Sequence, residues 1–327
     1  MKNRTGLWLF SMMAFLVVCG CGGGGGGGPT PPPAQTAQLR IVNNCAYTVW
    51  IQNLNMPAST AQVAKLATGG FVDYSDIPAQ GLASTRFWAK TGCDANDQNC
   101  QMGQNSDPCP AASATGCAPP VDSKFEATWG CTLSDQTKCA VNPSDPTKLL
   151  PDVTSWDTSA VDGYTLPYKV AIISSGGSTC TNADCSTCAN IDCSKLSLDN
   201  CPTNEDLSQG RTEKHPEYAS EDLRVKLTGQ DTVLGCYSPC KKLNYASDGG
   251  FNALNLAETT DEAVIYCCPT PPVSTDECRA GPVAATKYVA AVHSMCPGGG
   301  VYAYSYDDVF GLHNCKGGTQ FLMTFCP

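Results

Sequence analysis

The sequence predicts a mainly β protein: a β-sandwich core with disulfide-rich loop and short-helix subdomains attached. Three observations carry that prediction. Apolar residues alternate with the period of a strand near both ends of the folded part, helical periodicity is scarce, and twenty-two cysteines follow an export-type leader. Between these signals lie short β-prone runs separated by Gly, Pro, Asn and Asp, the spacing expected of a sandwich.

The leader comes first. Lys2 and Arg4 precede the apolar run Leu7 to Val18, which at twelve residues is too short to span a bilayer, so 1–20 reads as a signal peptide. The residues Val18, Cys19, Gly20 and Cys21 are similar to the box at which bacterial lipoproteins are cleaved and acylated. Cys21 is the expected lipidation site, with Cys19 competing and ordinary secretory cleavage as the alternative. Gly22 follows instead of an acidic residue, so the anchor is expected in the outer membrane where the cell has one, and otherwise at the cell envelope or outside it. Residues 21–37, Cys21 with seven glycines and then PTPPPAQTA, form a flexible tether stiffened by polyproline.

Residues 38–327 make the folded part. QLRIVNNCAYTVWIQ reads as a β-hairpin, with Leu39 and Ile41 on one face and Val49 and Ile51 on one face after the break at Asn43-Asn44. In TQFLMTFCP, Phe321, Met323 and Phe325 share a side. The best helical candidate is AATKYVAAVHSMC, where Tyr288, Val292 and Met295 form one stripe.

Composition excludes some functions. Net charge is −10, or −12 once Lys2 and Arg4 leave with the leader, which argues against nucleic acid as a partner. Removing Cys19 and Cys21 leaves an even twenty cysteines for an oxidising compartment. Cys185 and Cys188 have metal-ligand spacing, but no second pair or histidine cluster joins them, so no metal is expected, nor any cofactor. His215, His293 and His313 show no triad setting and are read as surface residues. Trp50, Trp88, Trp129 and Trp156, with Tyr164, Tyr168, Tyr302, Tyr304 and Tyr306, are read as core before sugar-stacking platforms.

Taken in order, IVNNCAYTVWIQ, RFWAKTGC, DTSAVDGYTLPYKV, the YCC triplet at 266–268, YAYSYDD and FLMTFCP resemble the thaumatin-like proteins over about 38–327. The resemblance implies a sandwich core at about 38–90, 122–192 and 297–327, a small disulfide-held loop region at 91–121, and a cysteine-rich subdomain at 193–296. It also implies eight disulfides: Cys45–Cys326, Cys93–Cys100, Cys109–Cys117, Cys180–Cys315, Cys193–Cys296, Cys201–Cys236, Cys240–Cys267 and Cys268–Cys278. Proximity in sequence suggests Cys131–Cys139 and Cys185–Cys188 for the remaining four. The stretches between Cys201 and Cys236 and between Cys240 and Cys267 are longer than in plant members, so the wall they build is expected to differ. QMGQNSDPCPAASATGC is looser than the family's acidic turn.

For function, the resemblance implies an acidic cleft lined by Arg86, Glu126, Asp157, Asp162 and one of Asp307 and Asp308, associated with binding and weak cleavage of β-1,3-glucan. Carboxylates crowded together cannot all ionise freely, so at least one should hold a proton beside a charged neighbour, as a glycosidase requires. Glu126 is taken as the acid and Asp157 as its partner, with Arg86 holding both in register. A separation of about 5 Å implies retention of anomeric configuration, and roughly 6.5–9.5 Å inversion. Asp162-Gly163 also reads as a plain turn. The expected partner is a polysaccharide of β-glucan type, bound by a monomer that is a possible endo-β-1,3-glucanase. The alternative is a non-catalytic defence or interaction module, an enzyme inhibitor or a membrane-perturbing antifungal protein.

Overall fold

The computed structural model describes residues 34–104, 121–175, 187–245 and 250–327. Residues Gln35–Pro327 form one compact unit. Along the chain come β1 (Leu39–Asn43), β2 (Val49–Leu54), β3 (Val63–Leu66), β4 (Phe71–Tyr74), β5 (Leu82–Lys90) and β6 (Lys124–Trp129). An exposed hairpin, β7 (Val141–Asn142) and β8 (Asp145–Leu149), precedes β9 (Val153–Ser159), β10 (Gly163–Tyr164), β11 (Tyr168–Ser175) and β12 (Ile191–Cys193). The cysteine-rich part holds β13 (Arg224–Val225), β14 (Gly235–Tyr237), α1 (Pro239–Asn244), α2 (Asp261–Cys267), α3 (Thr275–Ala280) and α4 (Lys287–Met295). β15 (Val301–Tyr302), α5 (Asp308–Gly311), β16 (His313–Lys316) and β17 (Thr319–Phe325) return the chain to the sandwich.

Two sheets face each other. One has the order β12-β11-β17-β1-β4, the other β15-β9-β6-β5-β2-β3, with β16 pairing the start of β9 beside β15. The period-2 pattern decides what lies between them. In β17, Thr319, Phe321, Met323 and Phe325 are buried while the residues between are not. Phe125, Trp129 and Trp156 meet Phe321 in an aromatic cluster that Phe87 joins through Phe125, with Phe125 and Trp156 stacked at 5.5 Å and Trp156 to Phe321 at 4.8 Å. Trp129 donates its indole N–H to Thr85 Oγ1 at 2.8 Å, so the core leaves that polar atom paired. Trp50, Trp88, Tyr164 and Tyr168 are buried as well, whereas Tyr302, Tyr304 and Tyr306 are only partly covered.

The expected hairpin over 38–52 is not formed. β1 pairs with β17 and β4 in one sheet, and β2 pairs with β3 and β5 in the other. The connection is a corner between sheets: the Asn43 side-chain amide donates to Tyr47 O and Leu66 O, both at 2.9 Å, and its Oδ1 accepts from Cys45 N. Both alternating runs still bury their apolar faces in the same core, which is why the periodicity alone did not separate the two arrangements.

The predicted helix exists as α4, with Tyr288, Val289, Val292 and Met295 buried and Thr286 Oγ1 accepting from Val289 N as its N-cap. Disulfides join Cys45–Cys326, Cys93–Cys100, Cys131–Cys139, Cys193–Cys296, Cys201–Cys236, Cys240–Cys267 and Cys268–Cys278. One pairing differs from expectation. Cys315 is bonded to Cys188, not to Cys180, which also rules out Cys185–Cys188. The segment at 187 runs beside β16, where Thr187 Oγ1 accepts from Asn314 N at 2.9 Å and Thr187 O bonds His313 Nδ1. Cys180, Cys185, the Cys109–Cys117 pair and Cys21 lie outside the described residues.

The histidines are not surface residues. His215 and His313 are buried and His293 is partly covered. Each is held by a partner: Asp261 Oδ2 at 2.9 Å, Thr187 O, and Asp307 Oδ2 at 2.8 Å respectively.

Candidate functional site

The alternation that fills the core also builds the site, on the opposite face of the larger sheet. In RFWAK, KFEATW and SWDTS the apolar residues Phe87, Phe125 and Trp156 point inward, so Arg86, Glu126 and Asp157 point outward. Register then lines them up: Arg86 lies opposite Glu126, and Glu126 opposite Asp157. Directly opposed residues have Cβ atoms about 4.5–5.5 Å apart, so three charged side chains form one row across three strands. A groove of about 270 Å³ runs over this row, bordered by Ser84, Thr128, Ser155 and Leu312. At its edge β5 carries a bulge between Leu82 and Thr85, with Ser84 at φ 58° donating its N–H to Thr128 Oγ1.

Arg86 Nε lies 2.5 Å from Glu126 Oε1. The neighbouring carboxylate, first among the causes, raises the guanidinium above its ordinary value. Among the described residues no cation stands at contact distance from Asp157, and its Oδ1 is buried without a hydrogen-bond partner. Burial, followed by the charge of Glu126, pushes the Asp157 carboxyl well above the usual range, against the opposing pull of Lys124 and Arg86. The two adjacent carboxyls thus differ in surroundings: Asp157 is desolvated with an unpaired oxygen, and Glu126 is ion-paired to Arg86.

One step along the same face, the cysteine-rich part covers the sheet. Lys124 is only 3% exposed at its side chain and bonds the Asp162 carboxylate, while Lys241 Nζ from α1 stands 3.4 Å from Asp162 Oδ1. Burial tends to raise Asp162, but Lys124, Lys241 and Arg86 together outweigh it and hold the group below its ordinary value. Asp162 is thus spent on joining the sandwich to α1. The turn reading of Asp162-Gly163 is partly right: Gly163 has φ 122°, and a side chain there would strike Cys236 O at 2.2 Å.

Asp307 and Asp308 separate cleanly. Asp307 is buried, accepting from His293 Nε2 and from Ala303 N at 3.1 Å, so it fixes the loop before α5. Asp308 is the more exposed of the two: its Oδ1 accepts from Tyr302 O–H at 2.7 Å, Arg279 bonds its Oδ2, and only its charge reaches Asp157.

Sequence reasoning missed Asp122, Lys124, Lys241 and Arg279. Asp122 is fully buried, neither of its oxygens has a hydrogen-bond partner, and Lys124 Nζ stands 3.5 Å away; burial pushes its carboxyl up to about 7. Lys124 had a signal, since it shares the outward parity of Glu126 in KFEATW, but Lys241 and Arg279 come from distant helices. With four cations among these acids, the cleft is closer to charge-balanced than the acidic cleft expected. No group of His, Cys, Asp and Glu among the described residues is arranged to hold a metal ion.

Residues 43–327 match the family model described as Thaumatin family. The chain belongs to the thaumatin family. Curated relatives of this family cover nearly the same length. A protein named thaumatin-like protein 2 from Prunus persica is 27% identical over 303 residues, 90% of this chain and 92% of its own. One named glucan endo-1,3-beta-glucosidase from Prunus avium is 27% identical over 311 residues, 90% of this chain and 92% of its own. Pathogenesis-related protein 5 from Arabidopsis thaliana is 27% identical over 293 residues, 87% of this chain and 88% of its own. No helix among the described residues is long and apolar enough to cross a membrane.

Proposed function

We propose that this thaumatin-family chain is an exported, lipid-anchored protein that binds β-1,3-glucan in the Arg86–Glu126–Asp157 groove and cleaves it slowly. The observation that carries the reading is the unlike environment of two adjacent carboxyls: Asp157 is desolvated with an unpaired oxygen, and Glu126 is paired to Arg86. In that assignment Asp157 gives its proton to the glycosidic oxygen, and Glu126 serves as nucleophile or base, with Arg86 positioning it. The relative named for glucan endo-1,3-beta-glucosidase supports the substrate class. Cys21 carries the lipid in this reading, and the Gly/Pro tether sets the folded part off the membrane.

A non-catalytic binding module is the second reading, favoured by the engagement of Asp162 with Lys124 and Lys241 and of Asp307 with His293. Incubation with insoluble β-1,3-glucan separates the two, measuring both retention and release of reducing ends. Release that falls at least a hundredfold in Asp157→Asn and in Glu126→Gln, with retention kept, is the catalytic outcome. Retention without release identifies the binding module, and neither signal rejects both. Anchoring is tested by radiolabelled lipid precursor, with label expected on the parent chain and absent from Cys21→Ser.

A further inference from the structure

We propose, resting on the β-1,3-glucan reading, that a second row of side chains in the groove forms a subsite for the neutral sugar residue adjoining the one at Asp157. The row is Ser84, Thr128, Ser155 and Asn314. Strand register builds it two residues along from Arg86, Glu126 and Asp157, on the same outward face. Thr128 lies opposite Ser155, and Ser155 opposite Asn314. The β5 bulge sets Ala83 and Ser84 against Thr128, which brings Ser84 into the row. At about 3.4 Å per residue the new row stands roughly 7 Å from the charged one. Ser84, Thr128 and Ser155 border the groove; Ser84 is exposed and the other three members are partly exposed.

The members have defined hydrogen-bonding senses. Thr128 Oγ1 accepts from Ser84 N at 3.2 Å, which leaves its O–H to donate. Ser155 Oγ donates to Asn314 Oδ1 at 2.8 Å, so Ser155 keeps lone pairs to accept, while Asn314 Nδ2 has no partner among the described residues and is left to donate. Sugar hydroxyls, each both donor and acceptor, can meet this donor, acceptor and donor together. No member is charged, so an ionic unit placed here would lose hydration without compensation.

Two features separate this row from an ordinary solvent-facing rung. Ser84 is held at φ 58°, in the left-handed region, by its N–H on Thr128 and by Asn55 Nδ2 donating to its carbonyl at 2.8 Å. An uncommon conformation anchored on both sides, with an exposed side chain, aims a hydroxyl and supports no core. The charged row ends in an apolar group: register carried one residue back from the His313–Trp156 pair sets Leu312 beside Asp157. Leu312 is 40% exposed and borders the groove, where the C–H face of a sugar ring would cover it.

The test is calorimetric titration of the mature chain with a soluble β-1,3-linked glucose hexamer. Thr128→Val/Ser155→Ala should weaken binding at least tenfold, with the urea midpoint and the titration of the Asp157 carboxyl as in the parent chain. Thr128→Ser/Ser155→Thr, which keeps both hydroxyls, should bind within threefold of the parent. Ser155→Ala alone, on a partly exposed strand face, should lose at least threefold even if the double variant does not fold. A parent chain that binds the hexamer, with Ser155→Ala and the double variant both unaffected, would overturn the subsite and leave the glucan reading standing. Equal loss in the hydroxyl-keeping variant, or a loss accompanied by an altered Asp157 titration, would also overturn the subsite alone. A parent chain that does not bind the hexamer would overturn both.

Discussion

Asp122 is buried with neither oxygen hydrogen-bonded, and that defines a pH dependence for folding. Its folded carboxyl sits near 7, above the ordinary 3.8, so the folded state holds a proton that the unfolded state releases. The sign follows: stability falls as pH rises from about 4 to about 7 and levels off above that, by on the order of 4 kcal/mol for this group alone. Urea unfolding of Asp122→Asn at pH 4 and pH 7.5 should show that fall removed, whereas equal slopes in the two proteins would contradict it. Lys124 is the counterpart. Lys124→Met strands Asp122 and leaves Asp162 with Lys241 and the more distant Arg86, and losing one partner of a buried pair costs about 3–5 kcal/mol. The double variant Lys124→Met/Asp122→Asn should recover part of that loss in a double-mutant cycle, since the two groups share one burial.

At the level of elements, periodicity showed which residues face the core but not which strands pair. Phe321, Met323 and Phe325, and the stripe of α4, were legible because a single element determines them. The β1–β2 corner was not, since a hairpin and a sheet crossing bury the same alternate residues, and the choice rests on Asn43 bridging to Tyr47 and Leu66. The partner of Cys315 was misplaced because the family resemblance implied Cys180, whereas in this chain Thr187 lies against β16 and brings Cys188 to it. Thiol labelling under denaturing conditions checks this, with Cys188→Ser freeing Cys315 and Cys180→Ser leaving it bonded. In the long Cys201–Cys236 segment, His215 meets Asp261 at 2.9 Å, Glu217 at 3.5 Å and Glu262 at 3.7 Å, and packs near Tyr218. The Asp261 hydrogen bond, helped by the other carboxylates, raises the imidazole, so its contribution is full below about pH 6.5 and is lost as pH climbs past the raised value. Hydrogen exchange should show the 210–217 turn losing protection from pH 6 to pH 8 in the parent chain but not in His215→Gln.

For the whole molecule, the groove lies on a sheet face that other parts of the chain cover on either side. A lone sandwich would leave the row of Arg86, Glu126 and Asp157 open to water. The cysteine-rich part, held by Cys193–Cys296 and by Asp162 between Lys124 and Lys241, covers the neighbouring level, and α5 with Tyr302 closes the side near Asp157. The row itself was legible from strand alternation and family resemblance. The unlike surroundings of Asp157 and Glu126 were not, because they depend on cations and on covering residues contributed from elsewhere in the chain. Carbon-13 NMR titration of the aspartate carboxyls, with Asp157 assigned by difference from Asp157→Asn, tests this most directly. The expected result is a group titrating well above the usual aspartate range that moves down in Glu126→Gln; an Asp157 that titrates near 4 and ignores that substitution would contradict it.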